Sequence, residues 1–159
     1  MIENINAAEL TSDERKETIV LITNGSFIGV EYDILLNECI VEESMLALNK
    51  KGAKVNAKSG KQDKNYMAGA CHGNSADMMR KGYGYVEGFI TLKEEKGAKV
   101  AHAWNVDKKG NHIDFTLEDA ERWDYFGLII PNKIVYEVGA KRGHIWHCVI
   151  PFMDEVPFE

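Results

Sequence analysis

The alternation of residue types over positions 83–115 constrains the fold of this chain more than any other sequence feature. Over 83–92, aromatic or aliphatic residues alternate with small or polar ones, which is typical of a strand with one buried face. Polar, glycine-containing turns separate this segment from two further strand-like segments, at 99–106 and 112–115. The pattern predicts three consecutive strands joined by hairpins.

Helical patterns precede this run of strands. Residues 32–50 carry apolar side chains close to helical spacing, and Gly52 follows as a C-terminal glycine. Residues 74–81 are good helix formers bounded by Gly82. The β-branched segment 18–23 fits either a helix or a buried strand. Helices followed by hairpin-linked strands predict an α+β fold, with a helix packed on an antiparallel sheet.

The chain of 159 residues is predicted to form a single domain over 1–159. We expect a helical N-terminal part over about 1–50, an exposed loop over 52–69 and C-terminal strands over 132–159. One of those strands is predicted at 133–138.

Charge and cysteine content exclude several classes of function. The formal net charge of −6 argues against a nucleic-acid partner, because phosphate binding needs a concentrated basic face. The lysines of 50–64 alternate with Gly, Asn, Ser and Gln, so we interpret this stretch as a solvated loop rather than an anion site. No apolar run is long enough to span a membrane, and we expect no secretory signal. Three cysteines without a disulfide framework predict a reducing, cytoplasmic location.

Three side chains suited to nucleophilic catalysis occur in the order Cys71, His102, Asp114. A thiol becomes a nucleophile when a histidine takes its proton and a carboxylate orients the imidazole. Cys71 lies at or just before the 74–81 helix, where exposed N–H groups lower the pKa of a thiol. Its own backbone amide can hold a developing oxyanion. His102 and Asp114 are predicted to stand side by side across the 107–111 hairpin.

The order of these pieces resembles the core of the transglutaminase-like group of papain-like cysteine enzymes, in particular small, uncharacterised members from bacteria and phages. The likeness covers residues 68–131, which we take as a Cys-His-Asp catalytic core. The matching pieces are Cys71 opening a helix, RKG at 80–82 before YVEGF at 85–89, HAW at 102–104, DFT at 114–116 and YFG at 125–127. Two features depart from the group: Phe115 stands where proline is usual, and His72, directly after the cysteine, could compete as a local base.

The resemblance implies a papain-like, transglutaminase-like fold with Cys71 as nucleophile, His102 as general base and acid, and Asp114 as the orienting residue. The implied reaction is acyl transfer from an amide or ester through a thioester, on a protein, peptide or small amide substrate. We expect a hydrolase (peptidase, amidase or deamidase) rather than a crosslinking enzyme, because the chain has little room for a large substrate platform. The alternative is an inactive binding or inhibitory module of the same fold. A buried Cys71, or a His102 turned away from it, would favour that alternative.

Several other polar residues are weaker candidates. Asn74, Trp104 and Asn65 are assigned to substrate binding or to the oxyanion site, although Trp104 is most simply a core aromatic that shields the His–Asp pair from water. Glu87 is expected to be an exterior charge on its strand.

A zinc site built from the C-terminal histidines is the remaining chemical possibility. His144, His147 and Cys148 cluster in sequence, and with His112 they could bind zinc. Their spacing matches no closed four-ligand pattern, so we predict neither a metal nor another cofactor. Cys39 lies on an apolar helical face and is assigned to the core. The sequence leaves the oligomeric state open.

Overall fold

The computed structural model describes residues 6–9, 11, 54–61, 71–94, 99–143, 149 and 153, and these residues form an α+β fold. The predicted fold class is therefore confirmed at this level. The predicted N-terminal helical part over 1–50 lies outside the described residues, except for 6–9 and 11. Among the helices that are described, none has both the length and the apolar character needed to cross a membrane.

The described elements alternate short helices with strands. In chain order they are a 3₁₀ helix at Ala7–Glu9, β1 at Lys54–Val55, β2 at Ala57–Ser59, α1 at Cys71–Met78, a 3₁₀ helix at Met79–Lys81, β3 at Gly84–Leu92, β4 at Lys99–Val106, β5 at His112–Asp114, a 3₁₀ helix at Ala120–Arg122, β6 at Trp123–Ile130 and α2 at Asn132–Arg142.

The strands form one curled sheet in the order β1-β6-β3-β4-β5-β2. Neighbouring strands are antiparallel except β2 and β5, which are parallel. Only Asn56 separates β1 from β2, yet these two strands pair with β6 and β5 at opposite ends of the strand order. Because one residue spans at most about 3.6 Å, the two ends of the sheet must lie next to each other. The sheet is therefore nearly barrel-like.

The predicted hairpins are confirmed by the strand register. β3 and β4 pair from Gly84↔Val106 to Thr91↔Lys99, and β5 continues the sheet with Ile113 opposite Asn105. These are the three strands expected from the alternation over 83–115. Local turns join these three strands, so the alternation of residue types was enough to predict that they pair.

The helix expected at 74–81 begins earlier than predicted. α1 starts at Cys71 and runs into the 3₁₀ helix, which ends at Gly82 with φ of +95°. Only glycine adopts that left-handed conformation without strain, so the predicted end is confirmed. The earlier start makes Cys71 the first residue of the helix.

The exposed loop predicted for 52–69 is wrong over the part that the structure describes. β1 and β2 occupy this segment, and Val55 between exposed Lys54 and Asn56 is buried. Strands of two and three residues are too short to show a period-2 pattern in a polar sequence. They pair through the backbone with β6 and β5, and Val55 adds a side chain to the core.

The strand predicted at 133–138 is also wrong, because α2 occupies this segment. Ile134, Val135 and Val138 are buried on one helical face, with the spacing that an amphipathic helix requires. The β-branched residues suggested a strand, but packing of this face outweighs their modest helix penalty. Gly143 follows the helix in a left-handed conformation, as a C-terminal glycine does.

The interior of the curled sheet is organised around two aromatic side chains. Trp104 and Tyr125 are fully buried, with ring centroids 5.0 Å apart in an edge-on arrangement. The other buried members of this cluster are Val55, Val86, Ile90, Val106 and Ala120. Gly127 lies against the Trp104 ring, so a larger residue has no room there. This core forms one side of the candidate site.

Candidate active site

Cys71 occupies the first position of α1, and its side chain is nearly buried, with 7% of the residue's surface exposed. The first N–H groups of a helix have no partner within the helix. The Cys71 amide is one of these groups. This local geometry agrees with the placement predicted from the sequence.

The predicted pairing of His102 with Asp114 is present. Nε2 of His102 lies 2.6 Å from Oδ2 of Asp114, and both residues are buried. His102 comes from β4 and Asp114 from the end of β5, so the 107–111 hairpin brings the two side chains to the same face of the sheet. A short hydrogen bond of this kind fixes the imidazole ring and its tautomer.

Asp114 is held by more than its histidine. Its Oδ2 accepts the Tyr125 hydroxyl at 2.7 Å, and its Oδ1 accepts the backbone N–H groups of Thr116 at 2.8 Å and Leu117 at 3.0 Å. Burial raises the pKa of Asp114, but the hydrogen bond and charge of His102, together with the other donors, hold that pKa below its ordinary value. Asp114 therefore remains a carboxylate although it has no exposed surface.

His102 also contacts Cys71. Because Nε2 of His102 is bonded to Asp114, Nδ1 is the ring nitrogen that remains for the hydrogen bond with the thiol. Burial lowers the pKa of His102, but the hydrogen bonds to Asp114 and Cys71 and the charges of both raise it to about 10. The imidazole is therefore a cation at neutral pH.

The thiol is shifted in the opposite direction. Burial raises the pKa of Cys71, but the charge of His72, the hydrogen bonds with His102 and His72 and the charge of His102 lower it to about 5. A thiolate next to an imidazolium is therefore the stable form of this pair at neutral pH. This is the protonation state that a cysteine nucleophile requires.

His72 contacts the thiol as well. The sequence analysis considered this residue only as a possible competing base. Its Nδ1 lies 3.4 Å from Sγ of Cys71, and its Nε2 lies 3.8 Å from Oε1 of Glu87. Burial lowers the pKa of His72, but the charge of Cys71, its hydrogen bond and the charge of Glu87 raise it above its ordinary value. His72 is therefore part of the buried cluster.

The expectation that Glu87 is an exterior charge is wrong. Glu87 has no exposed surface, and its Oε1 accepts the Tyr85 hydroxyl at 2.8 Å and the Val149 backbone N–H at 2.6 Å. It lies in β3, which has β4 on one side and β6 on the other. The sequence did contain the signal, since Glu87 is in phase with buried Tyr85 and Phe89 along the strand.

No family model, curated protein or solved structure matches this chain.

The three weaker site candidates have different environments. Trp104 is fully buried and donates its indole N–H to Nδ1 of His112 at 2.8 Å, which leaves it no surface for substrate contact. Asn74 is nearly buried, and its amide donates to the Thr116 hydroxyl at 3.1 Å, which ties α1 to the segment after β5. Asn65 lies outside the described residues.

Of the four residues considered as zinc ligands, the structure describes only His112. His112 is buried and accepts the Trp104 hydrogen bond, whereas His144, His147 and Cys148 lie outside the described residues, as does Cys39. Neutral His112 is the form that accepts this bond. Its pKa is lowered to about 4 by burial, which the charge of Asp107 offsets only in part.

A groove of about 760 Å³ borders the site on the β5 side. Its wall includes His112 and Phe115, which flank the Ile113–Asp114 pair, together with Tyr83, the residue before β3. Cys71 and His102 are not among the lining residues. The groove therefore adjoins the His–Asp pair without containing the thiol.

Proposed function

We propose that this protein is a cysteine-dependent acyl-transfer enzyme acting on an amide or ester bond. The observation that carries the proposal is that Asp114 holds Nε2 of His102 at 2.6 Å, and the same histidine helps to lower the pKa of the Cys71 thiol. A thiol, a histidine and an orienting carboxylate in this relation supply a nucleophile and a proton donor for acyl transfer. The transglutaminase-like, papain-like core implied by the sequence resemblance is the finer form of the same proposal.

In the first half of the reaction, the Cys71 thiolate attacks the carbonyl carbon and forms a carbon–sulfur bond. The carbonyl oxygen becomes an oxyanion next to the backbone N–H of Cys71, the first residue of α1. The tetrahedral adduct then collapses and breaks the bond to the leaving amine or alcohol. The proton on Nδ1 of His102 goes to that leaving group. A thioester and a neutral histidine remain.

In the second half, water attacks the thioester while His102 takes its proton. Collapse of this adduct releases the acid and restores the thiolate–imidazolium pair. We favour water over an amine as the acceptor because Cys71 is only 7% exposed, and water is the smallest acceptor that can reach it. The enzyme is then a peptidase, amidase or deamidase. A free, low-pKa thiol persists in a reducing compartment, so we propose a cytoplasmic location.

The burial of Cys71 favours a second candidate function. A module that binds or inhibits a partner can keep the same fold and the same buried ion pairs without turnover. Its nucleophile would need no access to substrate, which agrees with the small exposed fraction of Cys71. The effect of His102 on the thiol supports the enzyme instead, because a binding module has no need for a lowered thiol pKa.

The test is acyl transfer from a simple activated ester, p-nitrophenyl acetate, followed by peptide mass spectrometry. We expect repeated release of nitrophenolate and a transient acetyl group on the Cys71 peptide. Cys71→Ser and His102→Asn should lose turnover by at least about a hundredfold. Cys39→Ser is the control for the loss of another thiol of the chain. A Cys71→Ser protein that turns over as fast as the wild type would contradict the proposal, and stoichiometric labelling without turnover would favour the binding module.

A further inference from the structure

Two histidine–carboxylate pairs converge on the Cys71 thiol. One is the His102–Asp114 pair described above. The other joins His72, whose Nδ1 is 3.4 Å from Sγ of Cys71, to Glu87, whose Oε1 is 3.8 Å from the remaining nitrogen of His72. Both carboxylates have no exposed surface, and both histidines are nearly buried. A buried carboxylate is unfavourable unless positive charge and hydrogen bonds compensate it.

Glu87 is fixed as firmly as the carboxylate of the first pair. Its Oε1 accepts the hydroxyl of Tyr85 at 2.8 Å and the backbone N–H of Val149 at 2.6 Å. Asp114 likewise accepts a buried tyrosine hydroxyl, that of Tyr125, and backbone N–H groups. Both pairs therefore combine an imidazole with an anchored carboxylate, at a hydrogen-bond distance of 2.6 Å in one and an ion-pair distance of 3.8 Å in the other.

We propose that the His72–Glu87 pair is a second activating pair for Cys71, which stabilises the thiolate together with the His102–Asp114 pair. The inference rests on the proposed function and adds a residue to it. His102 gives its proton to the leaving group during acylation and takes one back from water during deacylation. His72 keeps its positive charge next to sulfur throughout, so it stabilises the thiolate before the attack and again as the leaving group when water opens the thioester. His72 itself neither gives nor takes a proton in these steps.

The electrostatics of the cluster agree with this role. Although burial opposes ionisation of the thiol, the charge of His72 is the largest influence that lowers the pKa of Cys71. The charge of His102 disfavours protonation of His72, whereas Cys71 and Glu87 favour it. Within the part of the chain that the structure describes, the titratable groups around the thiol, its histidines and their carboxylates are, by element, Tyr85 and Glu87 from β3, His102 from β4, Asp114 from β5 and Tyr125 from β6.

The experiment is the pH dependence of Cys71 alkylation by iodoacetamide, read by peptide mass spectrometry with Cys39 and Cys148 as internal standards. The proteins are the wild type, His72→Asn, His102→Asn and the double variant. For the wild type we expect an inflection near 5. Each single variant should keep an inflection below the ordinary thiol value near 8.5, and the double variant should reach or exceed it. At pH 7, each single variant should then label at least about tenfold faster than the double variant.

The proposal is overturned if His102→Asn labels no faster than the double variant, or if His72→Asn leaves the wild-type curve unchanged. Glu87→Gln keeps the size of the buried side chain and removes its charge, so it is the variant to use if His72→Asn does not fold. It should shift the inflection of the His102→Asn protein upward, and an unchanged inflection would equally overturn the proposal. Circular dichroism establishes that each variant is folded.

Alkylation needs no substrate, so this measurement separates the two proposals. A protein with two activating pairs and no ester turnover would retain the inference and contradict the proposed enzyme. A protein that turns over the ester but whose thiol is activated by His102 alone would support the proposed enzyme and contradict the inference about His72.

Discussion

Trp104 donates its indole N–H to Nδ1 of His112 over 2.8 Å, and both side chains are buried beside the candidate site. The bond requires an unprotonated Nδ1, so the protein stabilises the neutral form of this histidine. The Trp104 ring also lies 6.1 Å from the His102 ring, centroid to centroid. Folding of this core is thereby linked to the protonation of a histidine that performs no chemistry in the proposed reaction.

The first prediction is a loss of stability at mildly acidic pH. Burial lowers the pKa of His112 to about 4, whereas the unfolded residue titrates near 6.5. Between these values the unfolded state binds more protons, so the contribution of His112 is complete above pH 6.5 and is lost as the pH falls toward 4. The resulting loss in the free energy of unfolding approaches about 3 kcal/mol. Between pH 7 and pH 4.5, the free energy of unfolding in urea should decrease less for His112→Asn than for the wild type. Equal decreases in the two proteins would contradict this linkage.

The second prediction concerns the carboxylate that orients His102. Asp114→Asn removes the charge opposite the imidazolium, and the amide can present a donor where Nε2–H needs an acceptor. We expect ester turnover to fall on the order of a thousandfold and the free energy of unfolding to fall by about 3–5 kcal/mol, since a buried ion pair loses one partner. Kinetics and urea unfolding measure the two effects.

Asp107→Asn is the matched control for that substitution. Asp107 also accepts backbone N–H groups, those of Lys109 and Asn111, but it does so in the hairpin turn outside the site. Its variant should keep wild-type turnover. A comparable rate loss in both variants would show that the carboxylate at 114 acts only through the fold of the hairpin.

The third prediction concerns the tyrosine that anchors Asp114. Tyr125→Phe removes the hydroxyl that donates to Oδ2 at 2.7 Å and leaves the ring in the core. The free energy of unfolding should fall by about 1–3 kcal/mol, because a buried carboxylate loses one of its donors. Tyr136→Phe is the control, since Tyr136 is 55% exposed, and its stability should stay within about 0.5 kcal/mol of the wild type. If Tyr125→Phe and the wild type had the same free energy of unfolding in urea, this hydrogen bond would not contribute to stability.

The fourth prediction tests the packing of the barrel interior. A Cβ atom at Gly127 would lie 2.5 Å from Cη2 and 2.7 Å from Cζ2 of Trp104. Gly127→Ala must therefore displace the indole, and we expect a loss of about 1–3 kcal/mol in the free energy of unfolding. Lys133→Ala, at an exposed position of α2, serves as the reference. Wild-type stability of the Gly127 variant would mean that the ring moves without loss.

The parts of the fold and site that could be predicted from the sequence are those formed by residues close to each other along the chain. β3, β4 and β5 are joined by local turns, so alternation and turn residues were enough to predict them. The same hairpin brings His102 next to Asp114, which lies only twelve positions further along the chain. Because Cys71 begins a helix that ends at a recognisable glycine, its position at a helix N-terminus was also predictable.

Contacts between distant parts of the chain could not be predicted in the same way. Glu87 resembled a surface charge because its partners are His72 in α1 and the backbone of Val149, far from it in sequence. Its phase with Tyr85 and Phe89 indicated burial, but a buried glutamate makes sense only when its donors are known. The second histidine–carboxylate pair therefore emerged only from the structure.

Side-chain pattern alone thus defines the central hairpins, the helix that begins at Cys71 and the pairing of His102 with Asp114, because each depends on local turns and periodicity. Closure of the sheet by β1 and β2 depends instead on backbone hydrogen bonds to β5 and β6, for which a polar sequence leaves no pattern. The helical state of 132–142 follows from burial of Ile134, Val135 and Val138 together, which outweighs their β-branched preference. In the same way, tertiary packing buries Glu87 and brings its carboxylate to His72, since only there do the donors that stabilise its charge come together.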